Sequence, residues 1–292
     1  MNNERGEDTM NTVRLNDGNT IPVVGYGVFL IPAGEETYQA VLEAIKAGYR
    51  HIDTAAAYYN EADVGRAVKD SGVPREDIFI TSKLWLQDYG YEAAKKGIET
   101  SMKNLGVDYI DLYLLHQPYG DVRGAWKALE EAKKTGLLKS IGVSNMTPKY
   151  WKEFVPQFDT MPAVNQVEYN PYFQQNELRK LLEKDQVIME AYRPLGHGDE
   201  TLLTNPVLTK IAEKHGKNVG QIILRFELQE GVIVLPKSTN VSRIKGNLEL
   251  FDFSLSEEEI QEIRKLDTGK GHHDPKMPGL EKILLDNFKI HD

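Results

Sequence analysis

The chain has 292 residues, 40% of them hydrophobic and 27% charged, which is enough apolar material for a substantial core and excludes a disordered protein. Asp and Glu total 44 against 35 Lys and Arg, so the net charge is −9 and neither nucleic acid nor an anionic membrane is expected as a partner. Cysteine is absent, which excludes disulfides, thiolate catalysis and cysteine metal sites.

Residues 1–10 read as a polar extension without the apolar core of a secretion signal. No stretch approaches the roughly 20 apolar residues needed to cross a bilayer. No Pro- or Gly-rich linker interrupts the rest, so residues 11–292 are expected to form a single domain. Together these features predict a cytoplasmic protein.

The first predicted element is a β-hairpin. Its arms are Thr12–Leu15 and Thr20–Ile21, and Asn16, Asp17 and Gly18 form the turn between them. Ahead of a barrel, such a hairpin is expected to plug one end.

From Val23 onward, eight short apolar runs alternate with stretches of helical periodicity. The predicted strands are Val23–Gly27, His51–Asp53, Ile78–Lys83, Ile110–His116, Leu138–Val143, Val164–Glu168, Val187–Tyr192 and Val232–Leu235. The clearest predicted helices are Glu35–Ala47, Tyr91–Leu105 and Gly124–Lys134. Eight such units in about 250 residues predict an α/β fold, a (β/α)₈ TIM barrel. The stretch after Asp267 breaks the rhythm, and its segment GKGHHDPKMPG (269–279) is expected to be a long loop over the active site.

A TIM barrel carries its chemistry at the carboxyl ends of its strands, and polar residues stand at these ends. They are Asp53, Lys83, His116, Ser144, Asn145, Gln166, Tyr192, Lys237 and Ser238. Taken singly, Asp53 could cap a helix, Lys83 could reach solvent and His116 could be a loop histidine. Ionisable residues at the end of strand after strand are harder to explain in that way, because burying a charge without a partner costs several kcal/mol.

Seven segments of the sequence resemble the aldo-keto reductase family, most closely its bacterial branch with 2,5-diketo-gluconate reductases and prostaglandin F synthase-like enzymes. The segments are GYRHIDTAAAYYNE (48–61), ITSKLW (80–85), DLYLLHQP (111–118), IGVSN (141–145), PAVNQVEYNP (162–171), EAYRPLG (190–196) and LPKSTNVSRIKGN (235–247). Their joint order and spacing cover nearly the whole chain.

The resemblance implies that Tyr58 is a proton donor, with Asp53, Lys83 and His116 as its companions. A free phenol has a pKa near 10 and is a poor acid at neutral pH. An adjacent Lys83 ammonium is expected to lower that pKa, and Asp53 to hold Lys83 charged. His116 is expected to hydrogen-bond the substrate carbonyl oxygen as negative charge develops there. The expected reaction is reduction of an aldehyde or ketone to an alcohol.

The resemblance also implies NADPH/NADP+ as cofactor, since no side chain donates hydride. Gly25, Tyr26 and Gly27 do not form a dinucleotide fingerprint, because the third glycine is missing and no helix follows directly. The cofactor must therefore be held elsewhere in the chain.

Particular cofactor contacts follow from the resemblance. Ser144, Asn145 and Gln166 are expected to bind the carboxamide, and Tyr192 to stack on the nicotinamide. Lys237, Ser238 and Arg243, next to a helix beginning near Asn240, are expected to bind the 2′-phosphate. The implied cofactor set is completed by Asp53, Arg193, Leu195 and Asn247.

Three positions depart from the usual family pattern. Arg193 stands where a small residue is common, and either adds a cation near the cofactor pyrophosphate or narrows the pocket. Gly246 replaces a Glu that often contacts adenine. Tyr59, beside the proposed acid, is a second phenol through which a Tyr58→Phe variant would keep residual activity.

For the substrate side, Phe29 and Trp85 are expected to line an apolar wall beside His116. Trp126 and Trp151 are expected to pack in the core. The physiological substrate stays open among small aldehydes, dicarbonyls, keto sugars and ketones. A monomer is expected.

Other functions compete with reduction. Lys83 could form a Schiff base in a lyase. His51, Asp53 and His116 could form a metal hydrolase site, although no metal site is expected. A barrel that binds NADPH without turnover, in a regulatory role, is the non-enzymatic alternative.

Overall fold

Eight parallel strands, paired in chain order, form the central sheet of the computed structural model, which describes residues 11–272, 277 and 279–291. The strands are β3 (Tyr26–Gly27), β4 (His51–Asp53), β5 (Phe79–Leu84), β6 (Ile110–Leu115), β7 (Leu138–Ser144), β8 (Val164–Glu168), β9 (Ile188–Tyr192) and β10 (Ile233–Val234). A parallel bridge between Val24 and Val234 closes the sheet into a barrel, with the Gly25 amide donating to the Val234 carbonyl at 2.8 Å. The predicted (β/α)₈ fold is confirmed.

Helices follow the strands along the chain. They are α1 (Glu35–Ala47), α2 (Glu61–Asp70), α3 (Tyr91–Leu105), α4 (Val122–Lys134), α5 (Pro148–Phe154), α6 (Asn176–Lys184), α7 (Glu200–Leu203), α8 (Pro206–His215), α9 (Val219–Gln229), α10 (Val241–Gly246), α11 (Glu257–Arg264) and α12 (Leu280–Asn287).

The helix boundaries follow local chemistry. In α1 the apolar side chains Val41 and Ile45 face the core, and Gly48 ends the helix in the left-handed conformation at φ 113°. Helix α4 begins two residues earlier than predicted because Asp121 precedes it as a cap, its carboxylate accepting from the Gly124 amide at 2.9 Å.

The predicted hairpin is present as β1 (Thr12–Arg14) and β2 (Thr20–Pro22). Leu15, which follows β1, and Ile21, which lies in β2, are buried against apolar side chains of the barrel strands, among them Leu112. Asn16 Nδ2 donates to the Pro162 carbonyl at 2.9 Å, just before β8 begins. The hairpin therefore closes the amino ends of the strands and leaves the carboxyl ends open.

The carboxyl-terminal segment differs in part from the prediction. The predicted loop over residues 269–279 is followed by the helix α12, which was not predicted and whose residues Leu280, Ile283 and Leu284 line the cavity at the barrel mouth. These positions have the spacing of one helical face. Residues 273–276, within the predicted loop, lie outside the described residues, as does the predicted extension over residues 1–10.

Candidate active site

The barrel brings the predicted polar residues to one mouth. Asp53 ends β4, Lys83 lies near the end of β5, and His116 directly follows β6. Tyr58 ends a 3₁₀ turn over Ala56–Tyr58 that begins shortly after β4. The turn folds the phenol back over the ends of these strands.

Lys83 is the centre of this cluster. It is fully buried, and its ammonium donates to both Asp53 oxygens at 2.7 and 2.9 Å and to the Thr54 carbonyl at 2.8 Å. The same nitrogen lies 3.4 Å from the Tyr58 hydroxyl oxygen. A buried ammonium with these partners is satisfied both in charge and in hydrogen bonds.

The pKa shifts in the cluster follow from burial and charge. Burial acts to lower the pKa of Lys83, but the neighbouring Asp53 and Tyr58 outweigh it, so this pKa is raised and the ammonium stays charged. For Asp53, burial raises the pKa and Lys83 offsets the rise only in part.

The pKa of Tyr58 is shifted in the direction opposite to the prediction. The sequence predicted that Lys83 lowers the pKa of Tyr58. In the structure burial raises the pKa of this hydroxyl, and Lys83 reduces the rise without reversing it. The physical reason is desolvation, which penalises the phenolate more than one ammonium at 3.4 Å favours it.

His116 is a neutral imidazole. Burial lowers its pKa well below the ordinary value, and the Lys83 charge adds to the effect. Its ring lies edge-on to Tyr58, with centroids 5.6 Å apart, and edge-on to Trp85 at 5.1 Å. A neutral imidazole in this place can donate one hydrogen bond into the mouth.

A cavity of about 1190 Å³ opens over the cluster. Its lining includes every predicted site residue except Lys83, which lies behind Asp53 and Tyr58. These residues are Phe29, Asp53, Tyr58, Trp85, His116, Ser144, Asn145, Gln166, Tyr192, Arg193, Leu195, Lys237, Ser238, Arg243 and Asn247. Gly246, a noted departure, also lines the cavity.

Side chains at the carboxyl ends of β7, β8 and β9 line the cavity and are held by hydrogen bonds. Tyr192 donates to Asn145 Oδ1 at 2.7 Å, and Asn145 Nδ2 donates to the His116 carbonyl at 3.0 Å. Gln166 Nε2 donates to Asp53 Oδ2 at 2.8 Å. Among the described residues no hydrogen bond engages the side-chain oxygen of Gln166, Oε1, which leaves it able to accept from a ligand in the cavity.

Cationic side chains also line the cavity. Lys237 and Arg243 are both exposed there. Arg193 is half-buried, has a left-handed backbone with φ 54°, and buries its Nη1 atom without a hydrogen-bond partner in the described chain. A buried guanidinium nitrogen without a partner is costly, and an anion would satisfy it.

Another part of the cavity lining is aromatic. Phe29 lies 4.9 Å from Tyr58 by ring centroids, and Trp85 lies 5.7 Å from Phe288 of the carboxyl-terminal segment. Trp85 Nε1 donates to the Phe288 carbonyl at 2.7 Å, which holds the segment over this part of the cavity. Trp126 and Trp151 are buried in the core, as expected.

Tyr59 does not take part in the cavity. It is 53% exposed, and its hydroxyl donates to the Lys289 carbonyl at 2.9 Å. The expected residual proton donation through Tyr59 therefore has no support, because the turn that directs Tyr58 inward directs Tyr59 outward to the carboxyl-terminal segment.

The metal alternative is also not supported. The described residues contain no group of three or more His, Asp or Glu arranged to hold a metal ion. His51 bonds Thr81 at 2.9 Å inside the barrel, whereas His116 lies at the mouth among aromatic rings. The two histidines belong to different layers.

Sequence reasoning missed two buried acids on the barrel strands, Glu168 and Glu190. Glu168, at the end of β8, accepts from the His272 amide at 2.9 Å and anchors the chain that follows Asp267. Glu190, in the middle of β9, accepts from Gln166 Nε2 at 3.1 Å. A single charged residue inside the apolar run IMEAY was the available signal for Glu190.

Comparison with known proteins settles the family. The profile of the Aldo/keto reductase family matches residues 32–268. The chain belongs to the aldo/keto reductase family. It is 46% identical to the glyoxal reductase of Bacillus subtilis over 256 residues, covering 87% of this chain and 92% of that enzyme. The described part of this aldo/keto reductase has no helix both long and apolar enough to span a membrane.

Solved structures agree with the family. An aldo/keto reductase from Brucella melitensis matches with a TM-score of 0.85 and 48% identity, covering 89% of this chain and all of that one (100%). An aldo-keto reductase of Bombyx mori, solved in complex with NADP, matches with a TM-score of 0.83 and 38% identity, covering 90% of this chain and 95% of that one.

Proposed function

We propose that this member of the family reduces aldehydes and ketones to alcohols with NADPH. The observation that carries the proposal is the Lys83 ammonium, fixed by Asp53 and placed 3.4 Å from the Tyr58 hydroxyl at the mouth of the barrel. Dicarbonyls and keto sugars fall within the proposed substrate class, and the relative that is a glyoxal reductase supports the dicarbonyls.

NADPH, when bound, supplies the hydride that adds to the carbonyl carbon. Tyr58 gives its hydroxyl proton to the carbonyl oxygen, so its O–H bond breaks as the alcohol O–H bond forms. The positive charge of Lys83 stabilises the phenolate that remains. His116 donates a hydrogen bond to the same substrate oxygen, where negative charge develops. Solvent then returns a proton to Tyr58.

The cavity lining contains groups that suit both halves of a nicotinamide dinucleotide. The free Gln166 oxygen suits an amide N–H, and the Tyr192 ring suits a flat aromatic group. The partnerless Arg193 Nη1 suits a pyrophosphate, and Lys237 with Arg243 suits a 2′-phosphate. Ser144, Asn145, Leu195, Ser238 and Asn247 complete the proposed contacts.

A Schiff-base mechanism is disfavoured by the state of Lys83. A nucleophilic amine needs a free lone pair, but this nitrogen is held as an ammonium by Asp53, Thr54 and Tyr58. The proton donor and the cation beside it also argue against a regulatory barrel without turnover.

The test is a carbonyl panel assayed with NADPH and with NADH on the wild type and Tyr58→Phe. An aromatic aldehyde, a dicarbonyl and a keto sugar are included. We expect the wild type to oxidise NADPH in preference to NADH and the variant to bind NADPH with little turnover. Binding of NADPH without reduction of any substrate would favour the regulatory alternative. A covalent adduct trapped by borohydride at Lys83 would favour the lyase.

A further inference from the structure

Glu190 is a second acid in the barrel interior, beneath the cluster of Asp53, Tyr58, Lys83 and His116. Its side chain is fully buried and does not line the cavity. It pairs in register with Gln166 across β8 and β9, so both side chains project to the same side of the sheet. None of the roles proposed above uses it.

Glu190 and Asp53 together fix the orientation of the Gln166 side-chain amide. Gln166 Nε2 donates to Asp53 Oδ2 at 2.8 Å and to Glu190 Oε2 at 3.1 Å, so both of its N–H groups are engaged. The reversed amide would place its oxygen against the charged Asp53, which has no proton to donate. The orientation with two hydrogen bonds turns the Gln166 oxygen toward the cavity.

The charges of the interior do not balance if both acids are ionised. Lys83 is the cation beside these two acids, and it donates hydrogen bonds to both carboxylate oxygens of Asp53. The other basic neighbour of Glu190 is His51, whose Nε2 lies 3.6 Å from Glu190 Oε1. Burial lowers the pKa of His51 to about 3, so this imidazole is neutral. One cation cannot neutralise two buried carboxylates, and Glu190 is the one that holds a proton.

We propose that Glu190 is a positioning residue, which through Gln166 sets how the nicotinamide carboxamide is held and, by staying protonated, keeps Asp53 and Lys83 as a balanced pair. The inference rests on the proposed function. Glu190 acts through Gln166 and Asp53 and touches neither cofactor nor substrate.

The protonation state of Glu190 has a consequence for pH. Burial raises the pKa of Glu190 to about 8, and the Asp53 charge adds to the rise. The titratable groups facing it are His51 and Asp53 from β4 and Lys83 from β5. On its flanks β8 contributes the Gln166 amide and β10 the apolar Ile233.

The charges of Lys83, Asp53 and Glu190 determine how pH changes the rate of proton donation by Tyr58. Below its pKa Glu190 is neutral and the network of Lys83, Asp53 and Glu190 has no net charge. Above it the network carries one net negative charge, which opposes the positive field of Lys83 at Tyr58. The phenolate is then less stable, Tyr58 is a weaker acid, and proton donation slows as pH rises through about 8.

Three variants test the proposal. Glu190→Gln keeps an oxygen acceptor for Gln166 but cannot ionise, whereas Glu190→Leu removes the acceptor. Glu227→Gln is the matched control, because Glu227 is another buried acid in which burial raises the pKa well above its ordinary value, and it does not line the cavity. Circular dichroism and thermal melting establish that each variant folds.

The first measurement is cofactor binding by calorimetry. NADP+ is compared with its 3-acetylpyridine analogue, which keeps the carbonyl acceptor but lacks the amide N–H. One hydrogen bond to the Gln166 oxygen corresponds to a preference of about three- to tenfold for NADP+ in the wild type. We expect this preference to persist in Glu190→Gln and Glu227→Gln and to fall below about twofold in Glu190→Leu.

The second measurement is the single-turnover reduction rate between about pH 6.5 and 9.5. We expect the wild type and Glu227→Gln to slow with a midpoint near 8, and Glu190→Gln to lose this step. An unchanged preference in folded Glu190→Leu, or an unchanged pH step in Glu190→Gln, overturns the assignment. If Glu190→Leu does not fold, the pH step alone decides. A wild type that neither binds NADP+ nor reduces carbonyls would instead overturn the proposed function.

Discussion

The Lys83 ammonium lies 3.4 Å from the Tyr58 hydroxyl, and the contact joins two residues 25 positions apart in the sequence. Lys83 projects from β5, and Tyr58 is folded over it by the 3₁₀ turn after β4. Because burial raises the pKa of Tyr58 in spite of Lys83, the phenol is protonated at neutral pH and is ready to donate. In the proposed reaction, Lys83 would act mainly on the phenolate that forms after the proton leaves.

Replacement of Tyr58 by Phe removes the proposed proton donor and leaves the ring. We expect kcat for an aromatic aldehyde to fall by about 10²- to 10⁴-fold, the range typical of a lost general acid, while NADPH affinity stays within about twofold. Steady-state kinetics and calorimetric binding measure the two quantities.

Tyr59→Phe is the matched control for this prediction. Tyr59 is exposed and donates to the Lys289 carbonyl rather than into the cavity, so kcat should stay within about threefold of the wild type. Equal losses in the two variants would mean that Tyr58 is not the donor.

The sequence predicted the barrel and most of its mouth because both depend on local pattern. Lys83 and His116 stand at the ends of apolar runs, and such ends of parallel strands meet at one edge. Glu190 lies inside a run, where only three-dimensional pairing reveals that it meets Gln166. The direction of the Tyr58 pKa could not be predicted, since it depends on how burial compares with the Lys83 charge.

The carboxyl-terminal helix was missed for a different reason. Leu280, Ile283 and Leu284 have helical spacing, but the Gly- and Pro-rich stretch before them favoured a loop. A tertiary contact, the hydrogen bond from Trp85 to the Phe288 carbonyl, holds the segment against the barrel.

Lys237 and Arg243 are predicted to select NADPH over NADH. Lys237→Ala with Arg243→Ala should raise the KM for NADPH by about tenfold or more, because each charged hydrogen bond is worth roughly 1.5–3 kcal/mol, and leave the KM for NADH nearly unchanged. The control is Lys245→Ala, an exposed cation on the same helix α10 that does not line the cavity. Parallel changes for both nicotinamides would contradict a 2′-phosphate site.

Phe288 is predicted to shape the aromatic part of the cavity. Phe288→Ala should raise the KM for an aromatic aldehyde by about three- to tenfold, because an aromatic pair contributes about 0.5–1.5 kcal/mol beyond its buried area. The KM for a small dicarbonyl should change less, since it cannot reach both Trp85 and residue 288. Phe251→Ala, at an exposed position outside the cavity lining, is the control, and an equal rise for both substrates would count against this wall.

We predict that Asp53 and Lys83 make strongly coupled contributions to the free energy of unfolding. Its atoms lie 2.7 Å apart, and both side chains are almost fully buried. Asp53→Asn or Lys83→Met alone leaves an uncompensated buried charge, so each should lower the free energy of unfolding by about 3–5 kcal/mol. The double variant leaves no such charge and should cost clearly less than the sum.

Urea unfolding of the four proteins measures this coupling as a double-mutant cycle. The pair Lys152–Glu177, at 2.9 Å but with both side chains more exposed than not (59% and 68%), serves as the comparison and should show a coupling of only about 0.2–1 kcal/mol. Strict additivity at Asp53 and Lys83 would mean that the interior tolerates either charge alone, for instance by letting water in. Lys83 would then not need Asp53 to remain an ammonium beside Tyr58.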